Sequence, residues 1–206
     1  MVVRGPKLAL RHLTAADAPA LFELARDPEV TRFFSWGPYR DESEARAFVE
    51  RLDAQRAAGE RLELGIVGAD DRPIGLTGLS ELSRRDRRAV VGTWLGRAHW
   101  GSGANAESKA LILSLAFRDL GMLRVSALAN PENVRSIAAL TRLGFVEEGV
   151  LRGWHVHGGE RRDVAILRLS VEEFEASSLA TVPYRLDGEP PAEFVVTPSG
   201  TSAPPR

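Results

Sequence analysis

The spacing of apolar positions along the chain changes period several times, and each change marks an element. Lys7–Leu13 alternates Leu8, Leu10 and His12 with Ala9, Arg11 and Leu13, which predicts a strand. Thr14 stands where an N-cap belongs, and Ala15–Arg26 follows as a helix with Leu21, Phe22 and Ala25 inward. Val30–Trp36 reads as a short helical turn. Asp41 and Glu44 have capping-box spacing; the helix they open buries Phe48, Val49 and Leu52 and ends at Gly59. Strand patterns follow at Leu62–Gly68, Ile74–Leu82 and Ala89–Leu95. The turns between them, Asp70–Pro73 and Arg84–Arg88, predict an antiparallel meander.

The period then switches. Asn105–Leu120 is helical and apolar almost all round, so it is largely buried, and Gly121 ends it. Arg124–Ala129 is a short apolar strand. Strand, helix and strand over residues 89–129 make a βαβ unit and hence a parallel pair. A further helix runs to Leu143 and stops at Gly144; Asn130-Pro131 and Asn133 both fit its start. Strands at Phe145–His155 and Arg162–Leu169 flank a His157-Gly158-Gly159 turn, and Val171–Ser177 is a last helical piece. The fold class is α+β: a mixed, mostly antiparallel sheet with one parallel pair inside.

Half of the 12 prolines lie at or after Pro183. Residues 1–182 therefore read as the domain and 183–206 as a proline-rich tail. The tail is expected to be disordered from about Pro198, with Phe194–Val196 available as an arm. A chain of 206 residues with no cysteine excludes a disulfide scaffold, a thiolate metal site and a cysteine nucleophile. With 27 basic and 28 acidic residues the net charge is −1, so nucleic acid is not an expected partner. Lys7 and Lys109 are the only lysines; the arginine excess reads as coding bias without functional weight. No apolar run approaches the roughly 18–20 residues of a membrane span, and the opening MVVRGPKLALRHL lacks a signal-peptide layout. A cytoplasmic location is expected.

The chemistry concentrates where a strand ends, a glycine-rich loop follows and a buried helix begins: Trp94-Leu95-Gly96-Arg97-Ala98-His99-Trp100-Gly101-Ser102-Gly103-Ala104-Asn105-Ala106. Glycines let several N–H groups turn to one point, and the helix N-terminus adds partial positive charge, which together cradle a phosphate. Gly101-x-Gly103-x-x-Ala106 also fits a dinucleotide fingerprint. That motif opens a doubly wound domain and has an acidic residue at the end of its next strand. Here the loop follows a meander and the next strand ends in Asn130, so the nicotinamide reading is rejected.

Trp100-Gly101-Ser102-Gly103-Ala104-Asn105 resembles motif A of the GCN5-related N-acetyltransferases (GNAT), Q/R-x-x-G-x-G/A, with Trp100 and Asn105 as departures. The Trp-Gly-x-Gly form is the habit of the RimJ/RimL-like branch. Asn133-Val134-Arg135-Ser136 with Leu143-Gly144-Phe145, Glu148-Gly149-Val150-Leu151-Arg152, and Gly159-Glu160-Arg161-Arg162-Asp163 resemble that branch's further motifs. Leu10-Arg11-His12-Leu13 with Ala16-Asp17-Ala18 resembles its opening, and the likeness covers residues 7–175. It implies a GNAT fold with helices on both faces of the sheet and an acetyl-CoA cleft formed by the βαβ unit. It also implies direct acetyl transfer to a primary amine, either a protein N-terminus or a small molecule, with acetyl-CoA as cosubstrate and no metal. A catalytically idle acyl-CoA-binding or regulatory domain on the same fold is the alternative, and a homodimer is left open.

The resemblance also implies roles. Backbone N–H groups of Trp100, Gly101, Ser102, Gly103, Ala104 and Asn105 would hold the pyrophosphate, and Trp94 and Leu95 would pair their backbone with the pantetheine arm. Asn133 would hydrogen-bond that arm, and Ser136 would serve as general acid to the departing thiolate. The family's alternative acid, a tyrosine seven residues after the asparagine, is Leu140 here. The attacking amine must lose a proton, and Glu81, His99, His155 and His157 are the candidate bases. Glu81 and His99 are taken as catalytic beside Ser136. Arg84–Arg88 reads as a solvated hairpin turn, and Phe33, Phe34, Trp36 and Tyr39 either line an acceptor pocket or pack as core.

Overall fold

A computed structural model describes residues 1–196. The disorder expected from Pro198 lies outside the described residues. Among them the strands form one nine-stranded sheet in the order β7-β8-β6-β5-β4-β3-β2-β1-β9. The ranges are β1 Val2–Arg4, β2 Ala9–Arg11, β3 Arg61–Val67, β4 Pro73–Ser83, β5 Arg88–Leu95, β6 Arg124–Ala129, β7 Val146–His157, β8 Glu160–Ser170 and β9 Arg185–Asp187. Every pairing is antiparallel except β5 with β6, so the meander and the single parallel pair are both present.

The helices are α1 Ala18–Ala25, α2 Pro28–Thr31, α3 Glu42–Ala57, α4 Ala104–Ser114, α5 Val134–Arg142 and α6 Val171–Glu175. Their ends follow the caps in the sequence. Asp41 and Glu44 close a capping box on α3, and Asn133 rather than Asn130 caps α5, its side chain accepting from the Ser136 N–H. α1 and α3 cover one face of the sheet, packing Leu21, Val49 and Leu52 on Leu13 and Leu76. α4 covers the other, with Leu111, Ile112 and Leu113 wholly buried among Leu64, Ile66, Leu79 and Val91. It continues as a π-helical turn over Leu115–Asp119 before Gly121 reverses the chain at φ 74°.

The motif at the chain's opening is a clamp. Asp17, buried beside α1, takes two hydrogen bonds from the Arg11 guanidinium at 2.8 and 2.9 Å and two more from Thr14. These donors hold its carboxyl below the ordinary range against the opposing effect of burial. Arg11 also reaches Asp71, joining β2 to the β3–β4 turn.

Packing does not break at residue 182. β9 pairs with β1, Phe194 is fully buried in the main core, and the Val196 N–H donates to Leu120 O. The arginine-rich hairpin helps hold this segment, Arg84 donating to Ala192 O.

Candidate active site

The site begins where β5 loses one of its neighbours. β5 stays on β4 to its last residue, Leu95 opposite Gly75. It pairs with β6 only over Arg88–Val91, while β6 continues along β8 to Ala129. The strands therefore part beyond Val91 and Ala127. Between them lies a cleft of about 620 Å³, walled by Gly92–Leu95 on one side and Leu128–Asn130 on the other. The Gly96 N–H donates to Ile74 O. By strand alternation the peptide groups of Trp94 then point at β4, and those of Thr93 and Leu95 point into the cleft. The Leu95 carbonyl already accepts from the Trp100 indole at 2.9 Å. Of the two residues expected to lend backbone to a pantetheine arm, Leu95 has an N–H without an acceptor among the described residues and Trp94 contributes a side chain instead. That indole packs against Trp36, whose ring stacks on Phe34 at 5.1 Å. Phe33 and Phe34 line the cleft mouth.

At the end of β5 the loop turns its donors outward. Gly101 (φ 75°) and Gly103 (φ 91°) lie in the left-handed region, and open space surrounds both. The N–H groups of His99 and Trp100 are used internally, and that of Ala104 meets the Ser102 hydroxyl at 3.3 Å. Those of Gly101, Ser102, Gly103 and Asn105 have no acceptor among the described residues. Four free donors at the N-terminus of an eleven-residue helix suit a pyrophosphate, because the helix dipole adds to them. The Arg135 guanidinium lies 3.4 Å from the centre of the Trp100 ring, which brings a cation from α5 to the loop.

α5 supplies the opposite wall. The Asn133 carbonyl oxygen is spent on its cap at 3.2 Å, leaving its amide N–H groups for a ligand. Ser136 lines the cleft, and its hydroxyl has no hydrogen-bond partner among the described residues. Leu140 is buried, and neither Tyr39 nor Tyr184 lines the cleft.

The candidate bases divide. His99, His155 and His157 line the cleft. The last two stack at 5.5 Å; burial, then His155 and Arg162, hold His157 below the usual imidazole range. Glu81 is elsewhere. It lies in a bulge between Ser80 and Ser83, exposed, with φ 51°, outside the cleft lining. Glu107, in the first turn of α4, accepts from the Lys7 and Leu8 N–H groups at 2.7 and 2.8 Å and pins the start of β2.

Two groups escaped the sequence reading. Glu63 on β3 faces Gly78, which pairs with Gly92, which opens on the cleft. A Cβ at Gly78 would lie 2.6 Å from Glu63 Oε2, so the carboxylate lies across a lane that only glycine leaves free. Burial pushes its pKa up, and Arg61 at 3.7 Å pulls against it. Glycines inside two paired strands were the available signal. The second group is Lys109 on α4, buried at 4% exposure, lining the cleft floor and bonded to the Thr93 hydroxyl.

Among the described residues no helix is long and apolar enough to cross a membrane. Residues 7–146 match the model of an acetyltransferase (GNAT) domain. The chain is 32% identical over 169 residues to p20 of Bacillus licheniformis, an uncharacterized N-acetyltransferase, covering 82% of this chain and 95% of p20. It is 26% identical over 146 residues to the [ribosomal protein uS5]-alanine N-acetyltransferase of Escherichia coli K12, covering 68% and 75%. A crystal structure of a protein assigned as an acetyltransferase from T. thermophilus superposes with TM-score 0.73 at 33% identity, covering 84% of this chain and 90% of that one. The fold also matches, at 21% identity and TM-score 0.72, the microcin C7 self-immunity acetyltransferase MccE, solved with acetyl-CoA and AMP; 81% of this chain and 93% of that one are covered. A parted parallel pair, a cradle of free N–H groups and matches along most of the length lead to one assignment: the chain belongs to the GNAT family of N-acetyltransferases.

Proposed function

We propose that this acetyltransferase binds acetyl-CoA along the open edge of β5 and passes the acetyl group to a primary amine at the Phe33–Phe34 mouth. The observation that carries the reading is β5 itself. It stays on β4 as far as Leu95 but loses β6 beyond Val91, next to four unsatisfied N–H donors. Acetyl-CoA supplies a thioester carbonyl as acetyl donor. The Gly101, Ser102, Gly103 and Asn105 N–H groups hold its pyrophosphate, with Trp100 and Ala104 shaping the loop. The Leu95 N–H and the Asn133 side-chain N–H groups donate hydrogen bonds to the arm.

His99, at the mouth beside the loop, accepts the proton that the amine must lose before it can attack, through water if the acceptor does not touch it. Ser136 donates its hydroxyl proton as a hydrogen bond toward the sulfur. The acceptor is a small-molecule amine or a protein N-terminus; the uS5-alanine enzyme among the relatives acts on the latter kind. The idle alternative finds no support in these relatives.

CoA-thiol release with acetyl-CoA and a panel of amines, from N-terminal alanyl peptides to polyamines, tests the reading. Turnover on one class is expected, lowered about tenfold or more in kcat by His99→Gln. Thermal stabilisation by acetyl-CoA with no release on any amine overturns it.

A further inference from the structure

Lys109 is a buried ammonium that the roles above leave unused. It is one of two lysines in a chain otherwise supplied with arginine. The distinction is chemical: burial can bring a lysine into the neutral pH range, whereas arginine stays charged. Among the described residues it has no carboxylate partner, and its Nζ bonds only the Thr93 hydroxyl. Thr93 in turn meets Thr77 at 2.7 Å, and Thr77 donates to Gly92 O at 3.0 Å. This polar string runs under the β5 edge, on the α4 face, immediately above the point where β5 and β6 part.

That position fixes what Lys109 can meet. A chain anchored by its pyrophosphate at Gly101–Asn105 enters the cleft at the Leu95 end and runs toward the vertex at Val91 and Ala127. Its reactive end therefore approaches Thr93 and the Lys109 ammonium beneath it. Burial alone lowers the pKa of Lys109, to about 7. The carboxylates sharing the cleft are Glu29 at the mouth and Asp163 on β8, the latter held by Arg152 and the Gly153 N–H. The cations are Arg135 and Arg142 from α5 and Arg162 from β8; the imidazoles are His99, His155 and His157. None of them forms an ion pair or hydrogen bond with Lys109. On α4 itself, Glu107 is turned away to the Lys7 and Leu8 N–H groups.

Resting on the acetyl-transfer reading, we propose that Lys109 is the proton donor to the departing CoA sulfur. As the amine nitrogen bonds to the carbonyl carbon, the C–S bond breaks and its electron pair leaves with sulfur. The Nζ proton passes to that sulfur, giving a thiol and a neutral lysine; His99 has by then released the ammonium proton to water and takes the second proton that the nitrogen sheds on bonding to carbon. Water reprotonates Nζ once the products leave. Ser136 then orients the sulfur and need not ionise. This also explains how a chain with Leu140 in place of the family's tyrosine keeps an acid at the site.

The two-lysine composition makes the test direct. Protein labelled with [13Cε]lysine gives two side-chain signals, assigned with Lys109→Met. The Lys109 signal should titrate near neutrality in the free protein. CoA should move its midpoint upward by at least one pH unit, whereas desulfo-CoA should leave it within a few tenths. Equal midpoints with CoA and desulfo-CoA, both bound, would falsify contact with the sulfur. Failure of either to bind would instead count against the acetyl-CoA reading.

In turnover, Lys109→Met and Lys109→Arg should each lower kcat about tenfold or more with KM for acetyl-CoA within about threefold, because arginine keeps the charge and cannot yield the proton. An unchanged kcat in either overturns the proposal. If neither variant folds, the wild-type CoA against desulfo-CoA comparison still decides.

Discussion

β5 borders β4 on one side and β6 on the other, and the two borders are built on opposite terms. Toward β4 there is no slack. Gly75 lies so close to β5 that a Cβ would run into the Trp94 carbonyl oxygen, and the Thr77 and Thr93 hydroxyls bond across the pair. Toward β6 the ladder stops at Val91, and the peptide groups of Thr93 and Leu95 face a cleft. A strand edge needs hydrogen-bond partners, and an extended ligand carrying amides supplies them as an added strand would. The tight border holds β5 in place, while the open one leaves its peptide groups facing the cleft.

The largest effect is expected where the open border meets the loop. Gly103→Asp forces a side chain into φ 91° and sets a carboxylate among the four free donors. Wild-type protein at about 100 Kd of acetyl-CoA gains roughly 2.7 kcal/mol of stability, read as a rise in Tm. The variant should show no rise while remaining folded without ligand. A retained shift removes the loop from the binding site.

Next come two glycines on the opposite borders. Gly75→Val should cost about 2–4 kcal/mol in urea unfolding, because the atoms it meets are backbone and cannot give way. Gly92→Ala finds nothing within 4 Å, so stability should change by no more than about 0.5 kcal/mol. Its methyl projects on the cleft side, and a rise in KM for the amine is expected instead. Equal destabilisation of the two variants would contradict the asymmetry of β5.

Much of this layout is legible in the sequence, because it rests on local signals. Two-residue and 3.6-residue periods reveal the meander and the βαβ unit, and Asp41 with Glu44 marks a helix start before any contact is known. The three-residue strands β1 and β9 are too short to show a period, and only burial reveals that Phe194 belongs to the core. The glycine loop and Ser136 sit in the cleft because motif spacing carries them there. Glu63 was hidden, since its importance depends on which residues of β4 and β5 lie opposite it. Lys109 was hidden for the same reason: its helix reads as buried, but its place against Thr93 in the cleft depends on how α4 packs on β5.

A smaller effect is expected at Glu63. Its raised pKa means that the folded protein holds this proton more tightly than the unfolded chain. Stability from this group is therefore full below the ordinary value of 4.5 and is lost as pH rises through the folded value. Glu63→Gln removes that loss, so the variant should gain on wild type across this window when Tm is followed against pH. Parallel Tm curves would mean that Glu63 is as solvated as any surface glutamate.

The smallest effect is expected at Glu81, and it sharpens the comparison by showing where the site ends. Glu81 shares β4 with Gly75 and Thr77, but the strand has already bulged away from β5 at that point, and the ladder resumes only at Ser83 with Arg88. Its φ of 51° is a conformation that glycine adopts at least cost. Glu81→Gly should therefore be neutral or stabilising by up to about 1 kcal/mol. Because the side chain is exposed and outside the cleft, kcat should stay within about twofold of wild type, as should Glu81→Gln. A tenfold loss in Glu81→Gln would extend the site along β4 to the far end of the hairpin and return the proton-accepting role from His99 to this carboxylate.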